Sequence, residues 1–166
     1  MELTITLLNP KHQRTKFHCG EDSLDQYIRQ YAKQDNKRRI SRVFVASPID
    51  NPAHITGYYT LSAGSLDTTS LPDTMAKRLP KYPVPVALLG RLAIDTHHQG
   101  RGVGTLLIAD ALKRVHQAAK IIAVYALVVD ALNEGTVNFY QQFGFIPLPN
   151  TSNKLFLPLD TISEIA

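Results

Sequence analysis

Cysteine is nearly missing from this 166-residue chain, Cys19 being the only one. That excludes an internal disulfide and any zinc finger built on cysteines. With Gly20 after it and no partner identifiable in the sequence, Cys19 reads as a small packing residue beside a turn rather than as a nucleophile. No apolar run approaches the roughly 20 residues needed to span a bilayer, so no membrane partner is expected. The segment Met1 to Leu8 has no basic region ahead of a long apolar stretch; a secretory signal is therefore not expected, and the cytoplasm is the expected compartment. Internal repeats and low-complexity tracts are also missing. Apolar residues make up 44% and charged ones 19%, which predicts an ordered chain, long enough for one well-buried core and read as a single domain. No metal is expected.

Charge is present in a mild excess of one sign, with net +4 and a pI of about 9.2, a bias toward anionic partners. It is clustered. Lys33, Lys37, Arg38, Arg39 and Arg42 form one group, Lys77, Arg78 and Lys81 a second, Lys113 and Arg114 a third. Each alone reads as a solvated face; several on one face would be the electrostatic footprint of a nucleic acid.

Along the chain, Thr4 to Leu8 alternates as an opening strand, and Ser23 to Asp35 reads as an amphipathic helix facing inward through Leu24, Tyr27, Ile28 and Tyr31, with Glu21, Asp22 and Ser23 as its N-terminal cap. Val43 to Ala46 and Ile55 to Ala63 are the next strands. Prolines break residues 64 to 85, leaving a short helix near Asp73 to Leu79. Then come a strand over Val86 to Ile94, a long helix over Gly102 to Ala119, a strand over Ile121 to Val129 and a last helix over Gly135 to Phe143. Phe145 to Leu148 and Lys154 to Leu157 close as a hairpin. Strands and helices alternate only in the second half, which predicts an α+β fold with a mixed sheet.

The most informative segment is Asp95 to Gly104, between the strand and the long helix. Glycines at 100, 102 and 104 permit a tight turn and close approach of a ligand to the backbone, and the N–H groups opening the helix are unpaired donors at its positive end. This is an anion cradle. A P-loop requires Gly-Lys-Ser/Thr, and here Gly102 is followed by Val103, Gly104 and Thr105. A dinucleotide fingerprint requires glycine where Thr105 stands, and no second βαβ unit follows. The spacing that fits is Q-x-x-G-x-G through Gln99, Gly102 and Gly104.

That spacing resembles the pyrophosphate loop of the GNAT family of acetyl-CoA-dependent N-acetyltransferases. Downstream, Asn133 near a helix start, the pair Phe139 and Tyr140, and Gly144 with Phe145 resemble the same family in the same order. The resemblance implies a GNAT-like mixed, mostly antiparallel central sheet flanked by helices. It implies acetyl-CoA as co-substrate, its pyrophosphate held by Gln99, Gly100, Arg101, Gly102, Val103 and Gly104, with Thr105 adding a hydroxyl. It also implies that backbone groups of Leu92, Ala93 and Ile94 pair with the pantetheine arm and that Asn133 and Phe139 contact the coenzyme, although a helix N-cap explains Asn133 nearly as well.

Acetyl transfer to an amine needs a neutral nucleophile and a proton for the departing thiolate. Tyr140 is the candidate general acid, since a phenol of pKa about 10 carries its proton at neutral pH. No general base stands out: Asp130, Glu134, His97 and His98 lie near the motifs without an identifiable partner. An α-amine, of unperturbed pKa about 7.7 to 8.0 against about 10.4 for lysine, is appreciably neutral near pH 7, which favours an α-amino acceptor.

Outside the coenzyme motifs, Phe17 to Gly20, Gly57 to Ser62, Tyr82 to Pro85 and Gly90 to Asp95 are similar to the TacT-type toxins of bacterial toxin–antitoxin pairs. That resemblance spans nearly the whole chain. It implies acetylation of the α-amine of aminoacyl-tRNA, which blocks translation, neutralisation by a ribbon-helix-helix antitoxin, and a homodimer. Lys33, Lys37, Arg38, Arg39, Arg42, Arg78 and Arg91 are then the candidates for holding the tRNA. An acetyltransferase of a small amine or a protein N-terminus, and a coenzyme-binding module without turnover, remain the alternatives.

Overall fold

The computed structural model describes residues 2–151 and 153–162. Seven strands lie within the described residues: β1 (Leu3–Leu7), β2 (Arg42–Pro48), β3 (Gly57–Leu66), β4 (Val84–Ile94), β5 (Ala126–Asp130), β6 (Ile146–Pro147) and β7 (Lys154–Pro158). Their hydrogen-bonded order is β1-β2-β3-β4-β5-β7-β6. The ladders β1/β2, β2/β3, β5/β7 and β6/β7 are antiparallel, and β4/β5 is parallel, so the mixed, mostly antiparallel sheet expected of the sequence is present. Parallel neighbours need a crossover connection; here it is the 16-residue helix α4 (Val103–Ala118). The remaining helices are α1 (Asp22–Gln26), α2 (Ala32–Lys37), α3 (Asp73–Ala76), α5 (Glu134–Gln141) and α6 (Leu159–Ile162).

Contacts group the chain into two compact units. One is the chain up to Ser62 with Gly90–Ala111, the other Ala63–Leu89 with the chain from Leu112. β3 and β4 each begin in one unit and end in the other.

In the first unit a core forms from Leu8, Phe17, Leu24, Tyr27, Ile28, Ala32, Val43, Val45, Ile55, Tyr58 and Ala93. Phe17 meets Tyr58 edge-on at 5.4 Å, and the Tyr58 hydroxyl donates to the Leu24 carbonyl at 2.6 Å. Cys19 is buried, and burial pushes its thiol up to about 12, so it stays a thiol at neutral pH, as its packing role requires. The first helix differs from its sequence reading in two ways. Its N-cap is Glu21, which makes no side-chain capping bond; the Glu21 carbonyl instead accepts from the Leu24 and Asp25 amides. A π-helical turn, Tyr27–Tyr31, separates α1 from α2. The extra residue rotates the chain, so Ala32 enters the core fully buried while Tyr31 stands 52% exposed.

Gly57 opens β3 where the backbone of β4 and side chains of α4 crowd it. A Cβ there would sit 2.9 Å from the Ala93 carbonyl oxygen and 3.2 Å from the Leu107 side chain. Backbone cannot yield cheaply, so Gly57→Ala is expected to destabilise the protein by about 1–3 kcal/mol, read as a lower urea midpoint with unchanged slope.

In the second unit Leu71, Val86, Ala126, Val128, Leu148 and Phe156 form the core, with Leu66, Met75, Leu79, Leu88 and Tyr125 packed against it. The strand expected over Ile121 to Val129 begins later, at Ala126. Amides of Ile121 and Ile122 both bond the Ala118 carbonyl and prolong the end of α4 as a turn, leaving Ile121 93% exposed. The closing hairpin is present, with Ile146 opposite Phe156 and Pro147 opposite Leu155. The helix over Gly135 to Phe143 appears as α5 but is not the last, since α6 follows β7.

Candidate active site

The registered pairing of β4 with β5 ends at Leu89 opposite Val129. Beyond it Gly90 to Ile94 run on as strand, with Ala93 buried and Leu92 and Ile94 half-buried. The chain then makes a 3-10 turn, Thr96–His98, capped by the Asp95 carboxylate accepting from the His97 amide.

The loop after it is the glycine cradle. Gly100 has φ +76° and Gly102 φ +81°, the left-handed region that only glycine adopts without strain. A Cβ at either position would meet nothing within 4 Å, so the loop's outer side is open. Gly102 immediately precedes α4, its carbonyl accepting from the Leu106 amide at 3.2 Å. The amides of Val103, Gly104 and Thr105 are thus the unpaired first-turn donors of a four-turn helix. An opening of about 330 Å³ lies beside the helix start, lined by Leu3, Arg101, Gly102, Val103 and Leu106. Loop, helix start and opening fit a phosphate-bearing ligand approached through backbone N–H groups.

Gln99, expected to hold pyrophosphate, does something different with its amide. Nε2 donates to the Cys19 carbonyl at 2.8 Å and to the Ile94 carbonyl at 2.9 Å. Both hydrogens of that nitrogen are spent on protein carbonyls, so Gln99 ties the loop to the end of β4 and to the Cys19 turn, 80 residues away in sequence.

His98 lies beside the loop with its Nε2 3.1 Å from Nε2 of His54, a pairing that sequence reading missed because 44 residues separate the two rings and no local pattern marks His54. Burial, followed by the adjacent His54, holds His98 below the ordinary histidine value; Arg101 and His97 act in the same direction and Asp95 opposes them. His12, whose Nδ1 accepts from the Asn9 amide, is likewise lowered by burial. The sign follows from linkage. Below about pH 6.5 the unfolded chain takes up protons that these two folded sites refuse, so stability falls as pH drops. A lower urea midpoint at pH 5.5 than at pH 7.5 is expected, with the difference reduced in His98→Asn; equal midpoints would contradict the neutral-histidine assignment.

Tyr140 belongs to the second unit. It is only 2% exposed, with Phe139 edge-on at 5.4 Å and Phe145 at 5.6 Å. Burial, and secondarily the Asp130 carboxylate, push its phenol above the ordinary tyrosine value, so it holds its proton throughout the physiological range. Phe139 is half-buried and also contacts Phe143 edge-on. Asn133 is the N-cap of α5, its Oδ1 accepting from the amide and hydroxyl of Thr136, each at 3.0 Å. None of the four groups considered as base is assembled for the task by what the structure records. His97 is paired with Asp95 at 3.2 Å and largely exposed, His98 with His54, and Asp130 and Glu134 are exposed.

Five candidate cations gather around α2 and the start of β2. Lys33 and Lys37 line a cavity of about 260 Å³ with Leu8, Asn9, Pro10, Arg14 and Asn36; Arg14 was not singled out in the sequence and donates to the Arg29 carbonyl at 3.0 Å. Arg38 is the C-cap of α2, Arg39 adopts φ +61°, and Arg42 donates to the Asn36 carbonyl at 3.0 Å. Arg91, on β4, lays its guanidinium 3.6 Å from the centre of the Tyr27 ring. Arg78 is exposed and belongs to the other unit.

The model of the acetyltransferase (GNAT) family matches residues 12–145. A tRNA-acetylating toxin of Mycobacterium tuberculosis (strain ATCC 25618 / H37Rv) is 38% identical over 143 residues, covering 86% of this chain and 84% of the relative. Among solved structures, AtaT complexed with acetyl-methionyl-tRNAfMet aligns over 99% of both chains at 32% identity, with a TM-score of 0.91. A tyrosine-to-phenylalanine mutant of the AtaT toxin, bound to the C-terminus of the antitoxin AtaR and acetyl-CoA, aligns over 98% of this chain and 97% of that one at 30% identity, with a TM-score of 0.84. The glycine cradle thus lies within a region matched by the family model, and the likeness to the relatives extends over most of the chain: this protein belongs to the acetyltransferase (GNAT) family.

Proposed function

We propose that this protein is a toxin-type N-acetyltransferase that moves the acetyl group of acetyl-CoA to the α-amine of an aminoacyl-tRNA and thereby blocks translation. The observation that carries the donor half is the cradle: two left-handed glycines with open space outside them, followed by the unpaired amides of α4. The acceptor half draws support from the near full-length likeness to AtaT complexed with acetyl-methionyl-tRNAfMet and from the basic groups around α2.

In this reading Gly100 to Thr105 hold the pyrophosphate through backbone N–H groups and the Thr105 hydroxyl, with Gln99 fixing the loop. Backbone groups of Leu92, Ala93 and Ile94 pair with the pantetheine arm, the Ile94 carbonyl being oriented by the bond it accepts from Gln99. Asn133 and Phe139 contact the coenzyme from α5. The neutral amine attacks the thioester carbonyl, the C–S bond breaks, and the departing thiolate takes the Tyr140 proton; the new amide loses its excess proton to water, and water returns one to the Tyr140 oxygen. Burial keeps the phenol protonated at neutral pH, so its proton is present when negative charge develops on sulfur. Lys33, Lys37, Arg38, Arg39, Arg42, Arg78 and Arg91 hold tRNA phosphates. A cytoplasmic homodimer neutralised by a ribbon-helix-helix antitoxin completes the proposal, in keeping with the AtaT complex that includes an antitoxin C-terminus.

The test is to mix the purified protein with labelled acetyl-CoA and charged tRNA and to look for label on the aminoacyl group. Label there supports the reading; label appearing only on free polyamines or protein N-termini overturns it.

A further inference from the structure

The π-helical turn in the first helix does more than bend it. Leu24, Tyr27 and Ile28 are buried at 7%, 4% and 0%, and in an uninterrupted α-helix position 31 would fall in the middle of that face. The π turn removes Tyr31 from the core and gives its place to Ala32. Such insertions are rare and concentrate at functional sites. The outcome is an aromatic tier with one open end. Tyr58 and Tyr27 are stacked within 18° at 6.3 Å, Tyr27 and Tyr31 within 28° at 6.5 Å, and Tyr31 is half in solvent. The inner part of the tier is locked: Tyr58 donates to the Leu24 carbonyl, Tyr27 donates to the Asp35 carboxylate at 2.9 Å, and the Arg91 guanidinium covers Tyr27. A ring backed in this way loses little freedom when something flat is laid against it.

We propose that Tyr31 is a stacking platform for an unpaired nucleobase of the acceptor RNA. This rests on the acceptor assigned above and adds a specificity residue to it. A base offers a π face to an aromatic side chain whatever its identity, and single-stranded RNA is held by such rings together with cations that meet its phosphates. Here the cations are Arg91, against the same tier, and exposed Arg38, two helical turns beyond Tyr31 on its side of the helix.

The experiment compares two acceptors, charged tRNA and a simple ester of the same amino acid that has the α-amine but no base. Tyr31→Ala is expected to raise KM for charged tRNA roughly tenfold or more, as loss of one stacked base implies, with kcat, coenzyme affinity and turnover of the ester unchanged. Tyr31→Phe should behave as wild type. A KM for charged tRNA within twofold of wild type in Tyr31→Ala overturns the proposal. So does an equal loss in Tyr31→Phe, which would make the hydroxyl the working group, or an equal loss on both acceptors. Failure of the wild-type protein to label charged tRNA at all would instead remove the acceptor assignment, and the platform with it.

Discussion

Tyr140→Phe is expected to slow acetyl transfer by roughly 10²- to 10⁴-fold, the usual contribution of a positioned general acid, while leaving acetyl-CoA binding intact. The substitution removes one oxygen and nothing else. The ring keeps its edge-on contacts with Phe139 and Phe145, so α5 and its core should be unaffected and the urea midpoint should stay close to wild type. Calorimetric titration with coenzyme and a pre-steady-state measurement of acetyl transfer separate the two effects. Turnover within a few-fold of wild type would remove Tyr140 from the chemistry and leave it as one more aromatic of the second unit. Because burial holds the phenol above its ordinary value, no loss of activity from Tyr140 ionisation is expected on the alkaline side up to about pH 9.

Gly102→Asp is expected to abolish measurable coenzyme binding, a loss of roughly a hundredfold or more. Two effects combine. At φ +81° a side chain is strained, modestly for aspartate. The larger effect is electrostatic: a carboxylate is placed against the first-turn amides of α4, where it competes with a phosphate for the same donors and repels it. Gly102→Ala separates the two, since a Cβ there touches nothing within 4 Å and adds no charge. It should weaken binding far less than the aspartate. Equal losses in the two variants would show that backbone conformation, not anion recognition, is what Gly102 provides.

The parts of this protein that were legible in the sequence are those written in local spacing. Amphipathic patterning marked the long helix over Gly102 to Ala119, found as α4, apolar and β-rich runs marked β2, β3 and β4, and Gly100 and Gly102 marked a turn that only glycine makes cheaply. The cradle was therefore legible as a cradle. Its bracing was not. Nothing local says that the Gln99 amide reaches Cys19 or that His98 meets His54, because each is a contact between segments tens of residues apart. The strand expected from Ile121 failed for a related reason: β propensity favoured it, but the Ala118 carbonyl captured the amides of Ile121 and Ile122 as the end of α4.

Tyr31 draws the same line most sharply. Period and hydrophobicity put it in the core with Leu24, Tyr27 and Ile28, as any reading of an α-helix must. One residue inserted as a π turn sends it outward and brings Ala32 in. By itself, the sequence determined an α+β chain with a glycine-rich strand–loop–helix junction suited to an anion, since these follow from spacing and intrinsic chemistry; the residues proposed for acetyl transfer were marked by the resemblance to the GNAT family. Which groups brace the loop, where the helix slips its register and which aromatic ring reaches solvent were decided only by tertiary packing. Those outcomes depend on which distant segments compete for the same core volume and the same backbone hydrogen bonds.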